Sequence, residues 1–320
     1  MEQQKLLVLV GPTASGKSVL AVQLAKKFNG EVISADSRQV YRGLDIGTGK
    51  ITKREMRAVS HHLLDVAVPK RRFSADDFVK HAIKAIHDIQ KRGKLPIIAG
   101  GTGFYIDALV GRIPLSDVEP DAKLRLRLEK KTAAQLYAML QKKAVVRAKA
   151  MATPSERNNK IRLIRALEIA ASHNKKDLVN QRSDLCSYPQ NLQRSDLCKN
   201  LCKNVGEVLW IGIAPDMEEL DKKIELRLRE RLRSGMINEA KKLHANGLSY
   251  KRMTELGLEY RSLARFLQKK ITREELENEL YSAIRRYARK QIGYWKRNKE
   301  IEWFEPNQLR SIILYIKARL

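Results

Sequence analysis

Eight residues near the N-terminus have the spacing G-x-x-x-x-G-K-S, which is typical of a loop that binds the phosphates of a substrate. Glycines let the backbone wrap closely around phosphate oxygens, so that successive N–H groups can point at the anion. The lysine adds a positive charge, and the serine hydroxyl after it can bind Mg²⁺. The sequence therefore predicts a diphosphate or triphosphate site made by Gly11, Pro12, Thr13, Ala14, Ser15, Gly16, Lys17 and Ser18.

The segments on either side of this loop are suited to position it. The apolar run at 5–10 predicts a strand, and the residues from 19 to 25 predict a helix. A helix that starts behind the loop adds the positive end of its dipole to the phosphate site. Strand, loop and helix together are the context in which this motif binds phosphate.

Further along, strand-like and helix-like segments alternate. A short strand at 30–35 ends at Asp36, a helix with Ser74 as its N-cap runs to about Lys91, and a buried strand follows at 95–99. This alternation predicts an α/β fold with a phosphate-binding loop, a parallel sheet and helices on both of its faces.

The carboxyl ends of parallel strands meet at one edge of the sheet, where ligands bind. We therefore expect the phosphate-binding loop, Asp36 and the Gly-Gly-Thr-Gly turn that contains Thr102 to form one site. Kinases and NTPases usually hold Mg²⁺ with an acid after a second strand, and this turn offers none. Asp36 can instead accept a proton from an incoming nucleophile, unless it serves only as a helix cap or an outer magnesium ligand.

A change in composition begins at Pro114 and Pro120. Between 121 and 165, thirteen Lys and Arg residues stand against three Asp and Glu, with leucines at helical spacing. This pattern predicts a helical, basic insertion. We expect 1–115 to be the first part of the core, 116–204 the insertion, and 205–320 a return to the core followed by C-terminal helices.

The hexapeptide QRSDLC occurs at 181–186 and again at 193–198, within a polar segment. We interpret 173–204 as a mobile loop that grew by local duplication. The three cysteines, Cys186, Cys198 and Cys202, all lie in this segment, and neither a disulfide framework nor a zinc site is expected from them.

The net charge of +27, from 63 Lys and Arg against 36 Asp and Glu, favours a polyanionic partner, nucleic acid above all. A merely solvated lysine-rich surface is the alternative. At 285–299, basic residues are interleaved with aromatic ones, as on nucleic-acid surfaces. With no apolar run long enough to span a membrane and no secretory signal pattern, the expected location is the cytoplasm.

Several motifs, in order along the chain, resemble those of the tRNA dimethylallyltransferase (isopentenyltransferase) family. They are GPTASGKS at 11–18, SADSRQVYRGLDIGTGK at 34–50, HHLLD at 61–65, GGTGFY at 100–105, RLIRALE at 162–168 and RKQI at 289–292. The resemblance is to the bacterial type, because the C-terminal zinc finger of eukaryotic relatives is not matched.

The resemblance implies transfer of a dimethylallyl group from dimethylallyl diphosphate to the N6 amine of the adenosine 3′ to the tRNA anticodon. It implies that Lys17, the loop and Mg²⁺ on Ser18 stabilise the leaving diphosphate, aided by Arg227. It further implies that Asp36 takes the N6 proton and that Thr102 helps place the adenine. The tRNA-binding residues expected on this basis are Asp36, Ser37, Arg38, Gln39, Thr102, Arg125, Arg162, Arg165, Lys290 and Gln291.

Other functions stay open at this stage. The same chemistry on a free adenylate, a small-molecule kinase, and a nucleic-acid-binding NTPase are the alternatives. The basic insertion argues against the first, and the missing acid after residue 99 against the second. The chain departs from the family at 256–261, LGLEYR, where relatives often have Gly-Tyr followed by Lys or Arg. A monomer is expected.

Overall fold

In the computed structural model, the described residues are 5–113, 115–116, 118–151, 153–172 and 207–320. The segment predicted to be a mobile loop, 173–204, lies outside them. By backbone packing the chain divides into two compact units. One contains the described residues of 5–113 and 207–320, and the other contains those of 115–172.

The first unit is built on a six-stranded sheet in the order β3-β2-β4-β1-β5-β6, in which every pairing is parallel. Its strands are β1 (Lys5–Val10), β2 (Gly30–Ser34), β3 (His61–His62), β4 (Leu95–Ala99), β5 (Glu207–Ile213) and β6 (Glu302–Phe304). Central β1 pairs with β4 through Leu7 and Ile97, and with β5 through Leu7 and Leu209. The fold class predicted from the sequence is thereby confirmed.

The helices run in chain order through both units. Before the insertion they are α1 (Lys17–Lys27), α2 (Lys53–Met56), α3 (Ala75–Lys91) and α4 (Gly103–Leu109). Within it they are α5 (Ala122–Glu129), α6 (Ala133–Lys143), α7 (Val145–Ala150), α8 (Pro154–Arg157) and α9 (Lys160–Ser172). After it they are α10 (Met217–Arg233), α11 (Met236–Ala245), α12 (Tyr250–Leu256), α13 (Leu258–Leu267), α14 (Arg273–Trp295) and α15 (Leu309–Lys317).

Alternate residues of each strand point to opposite faces of the sheet, and helices pack on both faces. Leu7 and Leu9 share one core cluster with residues of α1 and α15. On the other face, Trp210 of β5 contacts Trp295 of α14, with ring centroids 5.9 Å apart. The long helix α14 therefore lies against the sheet, and it carries side chains to the carboxyl edge.

The C-terminal helices form a second core cluster beside the sheet. Leu220, Ile224 and Leu228 of α10 are buried at i, i+4 spacing against Leu276 and Leu280 of α14. This cluster also includes Val40, just before the glycine-rich loop at 43–50, and Leu44, near its start. The helical part thus anchors a loop that leaves the carboxyl end of the sheet.

The insertion unit has a small core of its own. Leu128, Leu136, Leu140 and Leu163 are buried together in it, and they come from α5, α6 and α9. Three of these leucines, at 128, 136 and 140, belong to the helical spacing noted in the sequence. Across the part of the chain that the structure describes, no helix is both long and apolar enough to cross a membrane.

Candidate active site

The phosphate-binding loop turns sharply between β1 and α1. The backbone N–H of Ser15 donates to the carbonyl of Pro12 at 3.3 Å, and Gly16 takes a left-handed conformation with φ of 88° as the N-cap of α1. A glycine adopts that conformation without a steric cost, which explains the fixed glycine before the lysine. The Nζ of Lys17 donates to the Pro12 carbonyl and, at 3.2 Å, to Oγ of Ser15.

Opposing effects set the pKa of the Lys17 side chain. Its pKa is lowered to about 7: burial is the largest cause, the nearby positive charge of Arg227 also lowers it, and the carboxylate of Asp36 opposes both. Because an amine with a pKa near 7 loses its proton easily, a bound anion would restore the charge of Lys17. The three residues come from different parts of the chain, and the fold brings them within electrostatic reach of one another.

Asp36 lies just beyond β2 in a turn that its own side chain stabilises. Its Oδ1 accepts the backbone N–H groups of Arg38 at 2.8 Å and Gln39 at 3.3 Å. Burial raises the pKa of Asp36, and these two hydrogen bonds only partly offset that rise. A carboxylate with a raised pKa is a better proton acceptor, as a general base requires.

Thr102 sits next to this turn at the carboxyl end of β4. Its Oγ1 accepts the backbone N–H of Ser37 at 3.0 Å, and its own N–H donates to the carbonyl of Ala35 at 3.2 Å. Tyr287, from α14, lies near Thr102, and burial and the negative charge of Asp36 raise the pKa of its hydroxyl. The structure therefore brings Asp36, Ser37 and Thr102 together, as the order of the strands predicts.

The Gly-Gly-Thr-Gly turn is glycine-rich because α14 packs directly on it. A Cβ added to Gly101 would lie 1.9 Å from Nε2 of Gln291, and one added to Gly103 would lie 2.1 Å from the ring of Tyr294. Neither position has room for a side chain. These glycines are needed for close helix packing, which the sequence pattern alone does not reveal.

Gln291 bridges the two loops of the site. Its Oε1 accepts the N–H of Thr13 at 2.7 Å, and its Nε2 donates to the Gly101 carbonyl at 3.0 Å. Only 5% of the residue is exposed. The structure therefore argues against the direct tRNA contact predicted for Gln291, because both polar atoms of its amide are already used inside the protein.

Arg227, Arg229 and Arg231 of α10 are all candidates for the diphosphate contact that the resemblance assigns to Arg227. Arg229 is exposed and pairs with Glu225 one turn away, and Arg231 pairs with Glu259 at 2.8 Å. Arg227 makes no hydrogen bond or ion pair with the described residues, and its guanidinium lies beside Gly49. The loss of solvent around it, and then the charge of Arg231, lower its pKa. It is thus the arginine of the three that is available to a ligand.

The sequence reasoning missed the residues that shape the glycine-rich loop at 43–50. The carboxylate of Glu239 accepts three successive backbone N–H groups, of Asp45 at 2.9 Å, Ile46 at 2.6 Å and Gly47 at 2.9 Å. It also accepts the hydroxyl of Tyr260 at 2.7 Å. From one sequence no signal singles out this glutamate, because its partners are backbone groups almost two hundred residues away.

A basic groove of about 630 Å³ opens between α13 and α14. Its walls include Arg261, Arg286 and Lys290, and Tyr287, which lies near Thr102, lines it as well. Lys290 was among the residues predicted to bind tRNA, and Arg261 and Arg286 line the same groove. Arg38, another predicted tRNA contact, keeps a buried Nε without a partner among the described residues.

In the insertion unit, two of the predicted tRNA-binding arginines are tied to a buried acid. Arg125 reaches Glu168 with two hydrogen bonds, one of 2.8 Å, and Arg165 reaches the same carboxylate at 3.4 Å. Burial raises the pKa of Glu168, but the two arginines outweigh it and the pKa is lowered. Arg162 is more exposed and pairs with Glu156 at 3.2 Å. The pairing at Glu168 gives Arg125 and Arg165 a structural task.

The residues around Ser18 fit a magnesium ion that is held mostly by its substrate. Ser18 is exposed at the start of α1 and offers one hard oxygen. Among the described residues no cluster of three His, Cys, Asp or Glu could hold a metal by itself. Mg²⁺ commonly keeps several waters and binds phosphate oxygens, so a single hydroxyl beside a phosphate loop suits it.

Comparison with known proteins decides the family. The sequence model described as IPP transferase matches residues 39–299. This chain belongs to the IPP transferase family. A relative from Treponema denticola, tRNA dimethylallyltransferase 2, is 40% identical and covers 92% of this chain and 93% of its own. The tRNA dimethylallyltransferase of Leuconostoc citreum is 37% identical, over 91% and 90% of the two chains.

A solved member of the family has the same fold. The full-length tRNA isopentenylpyrophosphate transferase from Bacillus halodurans aligns with a TM-score of 0.69 at 33% identity, over 99% of this chain and 96% of the other. The family match at 39–299 starts after the phosphate-binding loop and Asp36. The fold nevertheless brings both of them close to residues inside the matched range. Gln291 accepts the N–H of Thr13 in the loop, and Thr102 accepts the N–H of Ser37, next to Asp36.

Proposed function

We propose that this protein transfers a dimethylallyl group from dimethylallyl diphosphate to N6 of the adenosine 3′ to the anticodon in tRNA. The observation that carries the proposal is the meeting of Lys17 and Asp36 at one edge of the sheet. One group is suited to hold a departing diphosphate, and the other to take a proton from the attacking amine. The family membership of the chain supports the same reaction.

The leaving group is the first task of the site. When the allylic C–O bond breaks, negative charge grows on the diphosphate. Lys17 and the N–H groups of the loop stabilise that charge, and Arg227 adds a second cation from α10. Mg²⁺ bound by Ser18 would supply further charge neutralisation on the phosphate oxygens.

The nucleophile is the second task. As N6 attacks the allylic carbon, a new N–C bond forms and one N6 proton must leave. Asp36 accepts that proton, and burial, which raises its pKa, makes it the stronger base. The adenine must leave the stack of the anticodon loop to reach a site at the sheet edge, as in other enzymes that modify a base.

The third task is to hold the tRNA backbone. The groove between α13 and α14 places Arg261, Arg286 and Lys290 beside Tyr287, which adjoins the reacting residues. Such cations neutralise phosphates and release counterions on binding. In the insertion unit, we assign the same task to exposed basic residues such as Lys123 and Arg127.

The alternatives predict different substrates. An enzyme for free adenylate would need no basic groove, and a kinase would need a magnesium-binding acid after β4, where the chain has Gly-Gly-Thr-Gly. A nucleic-acid-binding NTPase would hydrolyse ATP without forming a prenylated product. A cytoplasmic location and a monomeric state remain predictions from the sequence.

One assay separates these functions. The purified protein is given labelled dimethylallyl diphosphate and Mg²⁺ with unmodified tRNA, AMP or ATP, and the label is followed by chromatography after nuclease digestion. We expect label in tRNA at the adenosine 3′ to the anticodon. Label in AMP but not in tRNA, or ATP hydrolysis alone, would overturn the proposal. A tRNA with guanosine at the target position is the matched control.

A further inference from the structure

The glycine-rich loop at 43–50 is held by two helices, one at its N–H groups and the other at its carbonyls. Glu239 of α11 accepts the three successive N–H groups of residues 45–47. Arg231 of α10 donates to two carbonyls of the same stretch, one of them at 2.8 Å. Hydrogen bonds to a carboxylate or from a guanidinium are stronger than those between neutral groups. The loop is therefore fixed to α10 and α11.

The carboxylate that holds the loop is itself supported from the helical core. The hydroxyl of Tyr260 donates to Glu239 at 2.7 Å, and Tyr260 is buried in the core cluster of the C-terminal helices. A Cβ added to Gly47 would lie 2.5 Å from that hydroxyl and 3.1 Å from Oε1 of Glu239. The loop thus approaches Glu239 so closely that only a glycine fits there.

The far end of the loop borders Arg227, the arginine of α10 that is available to a ligand. A Cβ added to Gly49 would lie 3.3 Å from Nη2 of Arg227. The loop covers this side of the guanidinium, and the loss of solvent is the main cause of its lowered pKa. A cation with less water around it attracts an anion more strongly, and a side chain that is already restrained loses less entropy on binding.

We propose that Glu239 is a positioning residue for the diphosphate site. By holding residues 45–47 it keeps Gly49 against Arg227, so that the guanidinium is restrained and shielded from water before the diphosphate binds. Glu239 acts through the loop and not by contact with the ligand. This inference rests on the proposed function, in which Arg227 binds the diphosphate.

The test is a double-mutant cycle between Glu239→Gln and Arg227→Ala, measured on the full chain by calorimetric titration with pyrophosphate and Mg²⁺. A glutamine has nearly the same size as Glu239, but its amide has only one acceptor oxygen, so at least one N–H group of the loop loses its partner. We expect Glu239→Gln alone to weaken pyrophosphate binding by about 5-fold. In the Arg227→Ala protein the same change should alter binding by less than about 2-fold, because the group through which Glu239 acts is absent.

Tyr260→Phe is the matched control. It removes the donor behind Glu239 but leaves the three N–H groups of the loop on the carboxylate. It should lower the melting temperature, because a buried hydrogen bond is lost, and keep pyrophosphate binding within about 2-fold. The control therefore separates the position of the loop from the stability of the helical core.

Gly49→Ala tests the same contact from the other side and leaves Glu239 intact, so it serves even if Glu239→Gln does not fold. The added methyl group would lie 3.3 Å from Nη2 of Arg227, at a backbone φ of 59° that disfavours a side chain. We expect this variant to weaken pyrophosphate binding by about 5-fold. In the Arg227→Ala protein its effect should be less than about 2-fold.

Three results would overturn the inference. One is equal weakening by Glu239→Gln with and without Arg227, since Glu239 would then act on another part of the site. Another is unchanged binding in Glu239→Gln or in Gly49→Ala. The third is a loss in Tyr260→Phe as large as that in Glu239→Gln, which would point to the helical core instead of the loop. If the unaltered protein binds no pyrophosphate, it is the proposed function that fails.

Discussion

The side chain of Gln291 and the backbone of Thr13 are joined by a 2.7 Å hydrogen bond, although 278 residues separate them in the sequence. The same amide holds the Gly101 carbonyl on its other side. The phosphate-binding loop and the turn that carries Thr102 are therefore fixed to α14 through one buried residue. A change at Gln291 should disturb both loops at once.

We expect Gln291→Ala to lower the free energy of unfolding by about 2 kcal/mol, because it leaves the Thr13 N–H and the Gly101 carbonyl without partners. Diphosphate binding should weaken by about 10-fold, since the loop loses its support. Chemical denaturation and calorimetric titration with pyrophosphate measure the two effects. Gln23→Ala, at an exposed glutamine of α1, is the control and should change neither. A variant that loses only tRNA affinity would restore the surface role predicted from the sequence.

Asp36→Asn should abolish transfer, with a loss of about 1000-fold, because a carboxamide cannot take the N6 proton. The amide oxygen can still accept the N–H groups of Arg38 and Gln39, so the turn should persist. Single-turnover transfer and filter binding separate chemistry from tRNA affinity, which should remain within about 2-fold. An equal loss of both would make Asp36 a structural residue.

The raised pKa of Asp36 also sets a direction with pH. Because the folded protein favours the neutral acid, the stability that this group contributes is present at low pH and lost as the pH rises through its folded pKa. Asp36→Asn should therefore be at least as stable as the unaltered protein at pH 7. The transfer rate of the unaltered protein should change with pH in the opposite sense and fall at low pH, because Asp36 becomes protonated there and can no longer accept a proton. A melting temperature of Asp36→Asn below that of the unaltered protein at pH 7 would contradict the stability prediction.

The sequence was sufficient to predict the parallel sheet and the meeting of the loop with Asp36 and Thr102. Both follow from strand order, since parallel strands place their carboxyl ends together. It was not sufficient for Gln291 of α14 or Glu239 of α11, because their roles depend on backbone groups that lie far away in the sequence. A buried glutamine and a surface glutamine look the same in a basic, aromatic helix such as α14. The pairing of Arg125 was hidden for the same reason, because its partner Glu168 is 43 residues away in the sequence.

Lys17 should take up a proton when a diphosphate binds. With a pKa of about 7 it is mostly neutral at pH 8, and an anion beside it would raise the pKa again. Titration of pyrophosphate at pH 8, in buffers of different ionisation enthalpy, should show more proton uptake than in Lys17→Met. The difference should vanish at pH 6, where the amine is already charged. Equal uptake by the two proteins at pH 8 would show that Lys17 is charged throughout.

Arg227 and Arg229 make a matched pair for the diphosphate site. Arg227→Ala should weaken pyrophosphate binding by 10- to 100-fold, as expected for the loss of a charge-assisted hydrogen bond of about 1.5–3 kcal/mol. Arg229→Ala removes the same charge from an exposed pair with Glu225 and should change binding by less than about 2-fold. Similar losses in the two variants would indicate that only the general field of α10 matters.

In the insertion unit, Arg125 and Arg127 are two residues apart on α5, yet we expect substitution of Arg125 to affect stability and substitution of Arg127 to affect tRNA binding. Arg125→Ala breaks the pair with buried Glu168, so we expect the unit to lose about 3 kcal/mol of stability. Arg127 is exposed, and Arg127→Ala should leave stability unchanged. It should instead weaken tRNA binding and reduce the slope of log affinity against log salt concentration by about 1. An unchanged slope in Arg127→Ala and in Lys123→Ala would count against the insertion as a tRNA-binding surface.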